Sequence, residues 1–114
     1  MPRAKSDAPI DPELPLFARR LKSARLRIGI SQEQLGVMAG VDEFSASARI
    51  NQYERGKHTP DVLMASHLAK VLEVPLSYFW TVHDEEAELV RLFHGLNGRQ
   101  RKQALVMLEE LAGK

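Results

Sequence analysis

The thirty residues Ser31 to Pro60, SQEQLGVMAGVDEFSASARINQYERGKHTP, constrain the fold more than any other part of the chain. Ser31 followed three residues later by Gln34 is a capping box, in which each side chain answers the other residue's backbone N–H at a helix start. Gly40-Val41 closes that helix after two turns, and a second helix runs to Tyr53-Glu54-Arg55-Gly56. Two helices this short cannot lie side by side for long. They cross at an angle, bury Leu35 and Met38 from one and Ile50 and Tyr53 from the other, and leave a polar face outward. A helix of that size fits a DNA major groove.

The flanks supply the remaining helices. From about Leu14, residues Leu14, Phe17, Leu21, Ala24 and Ile28 recur at helical spacing, with Arg19, Arg20, Lys22 and Arg27 pointing elsewhere. Gly29 ends this helix. Asp42 to Ser47 reads as a long turn winding into helix three, which runs from about Ser45 to Tyr53. Thr59 and Pro60 are expected as N-cap and first residue of helix four, whose core face is Val62, Ala65, Leu68, Ala69 and Leu72. Val74-Pro75 breaks it, and a short fifth helix carries Leu76, Phe79 and Trp80. A second unit follows. Leu89, Leu92, Phe93 and Leu96 form one apolar stripe, Gly95 to Gly98 a turn with Asn97 and Gln100 as another capping box, and Ala104, Leu105, Leu108, Leu111 and Ala112 a second stripe.

No segment reads as a strand, so the chain is expected to be all-α. Its organisation is a flexible arm over 1–13, a helical domain over 14–81 and a helical hairpin over 84–114. Three of the six prolines lie in the arm, where Arg3 and Lys5 are placed to touch a phosphate backbone if they are ordered at all.

Net charge is only +1, but it is unevenly spread. Residues 1–60 hold ten Lys/Arg against seven Asp/Glu, and residues 61–114 hold six against eight. A basic front and an acidic back suit a DNA-facing module followed by a protein-facing one. With no cysteine, neither a disulfide framework nor a thiolate metal site can form, which fits a cytoplasmic location. No apolar run is long enough to span a bilayer, and the first fifteen residues lack the apolar core of a signal peptide. His58, His67, His83 and His94 lack the spacing of a zinc site, and no phosphate-cradling loop or nucleophile motif is present. The expectation is a protein with no metal, no cofactor and no enzymatic activity.

In order and spacing, RRLKSARLRIGISQEQLG, the AGV turn, RINQYERGKHTP and LAKVLEVPLSYF resemble the Cro-like phage-repressor (XRE-type) helix-turn-helix family over roughly residues 16–80. The resemblance implies a five-helix, lambda-repressor-like domain that binds operator DNA as a dimer. One departure stands out. The family usually has about twelve residues from the turn glycine to the glycine of Glu-Arg-Gly, whereas Gly40 and Gly56 are sixteen apart. The added residues, near Asp42 to Ser45, lengthen the turn or give helix three another N-terminal turn, with Phe44 expected as an apolar plug.

Aligned backward from Gly56, the resemblance puts Ser47, Ala48, Asn51 and Gln52 where the family reads base edges, with Arg49 beside them. Asn and Gln pair with adenine, and Ala contacts a thymine methyl. Gln32 matches a residue that hydrogen-bonds a phosphate, and Arg55 and Lys57 suit the same task, joined by His58. Arg25 and Glu54 match the family's partly buried ion pair between helices one and three. The leading expectation is a sequence-specific transcriptional regulator, a repressor, that binds a palindromic operator as a homodimer through the C-terminal hairpin. The hairpin's other option is to pack back on helices one and five. Two other functions stay open: an antitoxin that autoregulates its operon and binds a toxin through the acidic hairpin, and an interaction module that has lost DNA binding.

Overall fold

A computed structural model describes residues 10–114; Arg3, Lys5 and most of the expected arm lie outside the described residues. Among the described residues the chain is wholly helical: α1 (Leu16–Ile28), α2 (Gln32–Met38), α3 (Glu43–Glu54), α4 (Val62–Val71), a 3-10 helix (Leu76–Trp80), α5 (Asp84–His94) and α6 (Gly98–Leu111). A turn precedes α1, where the Leu14 N–H donates to the Asp11 carbonyl at 3.2 Å.

The core forms where α1, α2, α3, α4 and the 3-10 helix converge. Phe17, Leu21 and Ala24 of α1 meet Leu35, Ile50, Leu68 and Phe79, all buried. The Phe17 ring lies 4.8 Å from that of Phe79 and 5.3 Å from that of Trp80, so the 3-10 helix is held to α1 by aromatic packing. α2 and α3 approach most closely at Gly36. A Cβ built there would fall 2.7 Å from the Ala46 Cβ, so only glycine lets these helices cross at this distance.

The expected caps form at both boxes. Ser31 Oγ accepts from the Gln34 N–H while Gln34 Oε1 accepts from the Ser31 N–H, and Asn97 and Gln100 do the same. α1 ends at Gly29 with φ 84°.

Six expectations need correction. Helix three begins at Glu43 rather than about Ser45, with Asp42 in the N-cap position, so of the two readings of the added residues the extra helical turn holds and the long turn does not. Phe44 plugs nothing and is 97% exposed. It precedes Ala46 and Ile50 by two and six residues, which sets it roughly 160° and 120° around the helix from them and off their buried face. Met38 is exposed as well, because α2 presents Leu35, Gly36 and Ala39 to the core instead. α4 is capped by Asp61, whose Oδ1 accepts from the Met64 N–H at 2.8 Å, and not by Thr59. With the start moved two residues on, Val62 sits at the helix end in solvent, and Ala65, Leu68, Ala69 and Leu72 form the core face. Lastly, Arg20 does not point to solvent.

Arg20 is buried under the segment leaving the domain. Its Nε and Nη2 donate to the Thr81 carbonyl at 3.1 and 2.7 Å, Nη2 also to Val82, and Nη1 pairs with Asp84 at 2.8 Å. The guanidinium also lies 5.8 Å from the Tyr78 ring centroid. The Arg20 hydrogen bond, with its charge, holds the Asp84 carboxyl below the usual carboxylate range. One side chain therefore sets where α5 starts. α5 then lies back on its own chain, burying Ala87 and partly Val90. Glu88 bonds Arg91 and lies 3.5 Å from Arg27; the Arg91 bond, reinforced by both positive charges, lowers its carboxyl's proton affinity.

α6 is different. It contributes no buried residue, and Leu105, Val106, Met107, Leu108 and Leu111 are all exposed. Its tie to α5 is Arg101, which donates to the Phe93 and His94 carbonyls at 3.2 and 2.7 Å and stacks over the Phe93 ring. The molecule is accordingly long, 51 × 32 × 28 Å.

Candidate nucleic-acid interface

α3 has one face for the core and one for solvent. Ala46, Ile50, Tyr53 and Glu54 are buried. Ser47, Ala48, Arg49 and Gln52 are exposed and Asn51 is half-buried. The five residues expected to read bases therefore all lie off the core face. The helix ends at Glu54 with Arg55 as its C-cap, and Gly56 follows at φ 74°, a conformation that disfavours a side chain. A Cβ there would also fall 2.7 Å from Pro15 Cδ, so this turn is pressed onto the start of α1. Lys57 and His58 follow in solvent.

Beneath this face runs a buried polar network. Arg25 Nε and Nη2 donate to the two carboxylate oxygens of Glu54 at 2.6 and 3.0 Å, and Nη1 donates to the Ile30 carbonyl at 3.0 Å. The geometry is bidentate, which fixes the guanidinium plane as well as its distance. Glu54 Oε1 takes a further bond from Gln32 Nε2 at 3.2 Å, and the same amide nitrogen donates to Asn51 Oδ1 at 3.3 Å. A carboxylate only accepts, so the Gln32 amide must turn its NH2 inward. Every buried side-chain polar atom among the described residues has a partner.

This network links the residues expected to read bases with those expected to hold phosphates. Gln32 spends both amide protons inside and orients Asn51. Asn51 has its Oδ1 engaged by Gln32, so its NH2 is the group left to face outward. Gln32, Ser47, Asn51 and Arg55 line one cleft at the junction of α1, α2 and α3, and Lys22 of α1 lines it too. Arg49, Gln52 and His58 line a second cleft toward the start of α4. Lys22 was not singled out from the sequence. Its only signal there was a position on α1 away from the apolar stripe, shared with three other cations.

The arrangement offers hydrogen-bond donors and cations around a polar helix face. It gathers no titratable pair for acid–base chemistry, and no metal-binding group occurs among the described residues. Nor is any helix among them long and apolar enough to cross a membrane.

Comparisons with known proteins agree with this geometry. A helix-turn-helix family model matches residues 21–79, which run from within α1 into the 3-10 helix. Among solved structures, the chain is similar to the transcriptional regulator BswR, with a TM-score of 0.76 and 46% sequence identity. That match covers 82% of this chain and 92% of BswR. No curated protein matches.

Proposed function

The chain belongs to the Cro-like (XRE-type) helix-turn-helix family of DNA-binding transcriptional regulators, and from that premise we propose that it is a repressor acting as a homodimer on a palindromic operator. The observation that carries the reading is the solvent-facing side of α3 backed by the Arg25–Glu54–Gln32–Asn51 network. Side chains fixed from below lose little entropy when they meet base edges. Ser47, Ala48, Arg49, Asn51 and Gln52 read bases, while Arg55, Lys57 and Lys22 anchor the backbone. Gln32 serves a phosphate through its backbone N–H at the start of α2, while its side-chain amide stays on Asn51 and Glu54. A regulator of this kind works in the cytoplasm.

The homodimer rests on α6. Arg99, Arg101 and Lys102 crowd its start and Glu109 and Glu110 its end, with no acid in the first turn and no base in the last. That is the reverse of what the helix dipole favours. An antiparallel pair of α6 helices about a two-fold axis sets each basic end beside an acidic one and covers Leu105, Leu108 and Leu111. Replacing Leu105 and Leu108 with Ser should turn a dimer into a monomer in sedimentation. A wild-type chain that is already monomeric would favour the antitoxin reading, with a toxin as the cover.

Selection from a random duplex library tests the function. Enrichment of an inverted repeat with half-sites about 34–36 Å apart is expected, and no enrichment would sink it. On that operator Gln52→Ala should relax preference at one base, and Lys57→Ala should weaken all sequences alike. Binding should fall steeply with salt as phosphates reclaim counterions.

A further inference from the structure

The first turn of α3 leaves one large apolar side chain unexplained. Phe44 is 97% exposed, and no other side chain among the described residues covers it. An uncovered phenyl ring gains nothing for the fold. Its position is informative, because Phe44, Ser47, Ala48 and Asn51 are spaced i, i+3, i+4 and i+7 and so form one stripe along α3. That stripe is the one assigned above to base reading. The extra residues between Gly40 and Gly56 carry the stripe about 6 Å further toward the helix N-terminus. In helix-turn-helix proteins it is the N-terminal part of the recognition helix that contacts base edges.

The chemistry of the ring selects its target. A phenyl group accepts no useful hydrogen bond, and the apolar feature that a base edge shows in the major groove is the C5-methyl of thymine, which Phe and Ala both contact. Phe44 and Ala48 stand one turn apart with nothing larger than Ser47 between them on the stripe. Asp42 and Glu43 precede the ring and are repelled by the phosphates that flank the groove, so the ring enters with these carboxylates kept back at the helix start, where Asp42 accepts from the Ser45 hydroxyl at 3.3 Å.

We propose that Phe44 is a specificity-determining residue that packs on the 5-methyl group of a thymine, one in each half-site. The inference rests on the DNA-binding reading of α3 and adds to it a base position that the family's usual helix is too short to reach.

The test uses the full chain and the operator selected from random duplexes. Each thymine is replaced in turn by deoxyuridine, which removes the methyl and nothing else. Wild type should lose about four-fold in affinity per half-site at one symmetric position, the loss expected for one buried methyl. Phe44→Ala should be indifferent to uracil at that position, unchanged in its response elsewhere, and unaltered in melting temperature because the ring is solvent-exposed. Phe44→Leu should keep part of the discrimination. If Phe44→Ala keeps the wild-type uracil profile, or selects the same consensus with the same affinity, the proposal is overturned and the ring serves a protein partner. Failure of the wild-type chain to enrich any duplex would overturn the DNA-binding reading as well, so the two failures are distinct.

Discussion

α2 and α6 begin alike and end in opposite surroundings. Each opens with a reciprocal capping box, Ser31 with Gln34 and Asn97 with Gln100, at nearly equal distances. α2 has only seven residues, yet Leu35 and Gly36 are buried and α3 packs across it. α6 is twice as long and buries nothing. Both helices are tied down by an arginine nearby: Arg25 joins Glu54 beneath α2 and α3, and Arg101 bonds the last carbonyls of α5. Capping decides where a helix starts, whereas burial decides whether its loss costs the fold anything. α2 is held by the domain, whereas α6 buries no residue against it.

The largest expected effect lies in the buried half of that contrast. Glu54→Ala leaves Arg25 charged and buried without its bidentate partner, and should cost about 3–5 kcal/mol, a large share of the roughly 5–15 kcal/mol that holds a small domain together. Urea denaturation should show it as a drop in midpoint. An unchanged midpoint would mean that the network beneath α3 is dispensable and that α2 is no better anchored than α6.

A single type of substitution should change sign between the two helices. Gly36→Ala drives a methyl to 2.7 Å from the Ala46 Cβ and to 3.0 Å from its backbone, so the α2–α3 crossing must open at a cost of about 1–3 kcal/mol. Gly98→Ala, in the first turn of α6, meets nothing within 4 Å and should stabilise by about 0.4–1 kcal/mol through the unfolded state. Thermal melts of the two variants would break the comparison if both moved the same way.

The caps give a smaller and more local difference. Ser31→Ala and Asn97→Ala each remove an acceptor worth about 1 kcal/mol to its helix. At α2 the loss should lower global stability. At α6 it should appear chiefly as faster amide exchange over Gly98–Leu111, because a helix that buries nothing can open alone. Equal losses of global stability would show that α6 is part of the domain's cooperative unit.

What could be read from the sequence follows the same division between local and spatial causes. Both capping boxes were legible because their partners stand three residues apart, where chain geometry alone brings them together. The core stripes Phe17, Leu21, Ala24 and Ala65, Leu68, Ala69, Leu72 were legible by period. The pairing of Arg25 with Glu54 was legible only through the family resemblance, since 29 positions separate them. Local rules failed where two compatible signals competed, as at Thr59-Pro60 and Asp61, both sound helix starts. They failed again where the outcome depends on what passes overhead. Arg20 looked like any other cation of α1 until the exit segment crossed it, and Gly36 looked like an ordinary glycine until α3 lay against it. Phe44 reads as a plug because apolar residues are usually inside, but the angle at which α3 leaves Asp42 turns it out. For the solvent-facing side of α3, the position of Ser47, Ala48, Arg49, Asn51 and Gln52 off the core was legible; the role of Gln32 in holding Asn51 was not, because it depends on the carboxylate of Glu54 forcing the amide inward.

The smallest effect concerns the joint between the two regions. Asp84 sits in solvent but accepts from Arg20, and its carboxyl releases its proton more readily in the folded chain than in the unfolded one. Linkage then gives the sign: the unfolded chain binds the proton more tightly, so this group adds stability above the ordinary carboxylate pKa of about 3.9 and that contribution is lost as pH falls through the lowered value. Glu88, bonded to Arg91, acts in the same direction and over the same acid window. Asp84→Asn should therefore leave a chain whose stability falls less between pH 5 and acid than wild type does, while near-neutral melting changes only slightly because the pair is open to solvent and screened. The substitution separates two descriptions of the joint. Arg20 keeps its bonds to the Thr81 and Val82 carbonyls in the variant, so if those hold the exit segment, α5 stays docked through Ala87 and only the acid slope changes. Faster exchange throughout Asp84–His94 would instead assign the docking of α5 to the ion pair.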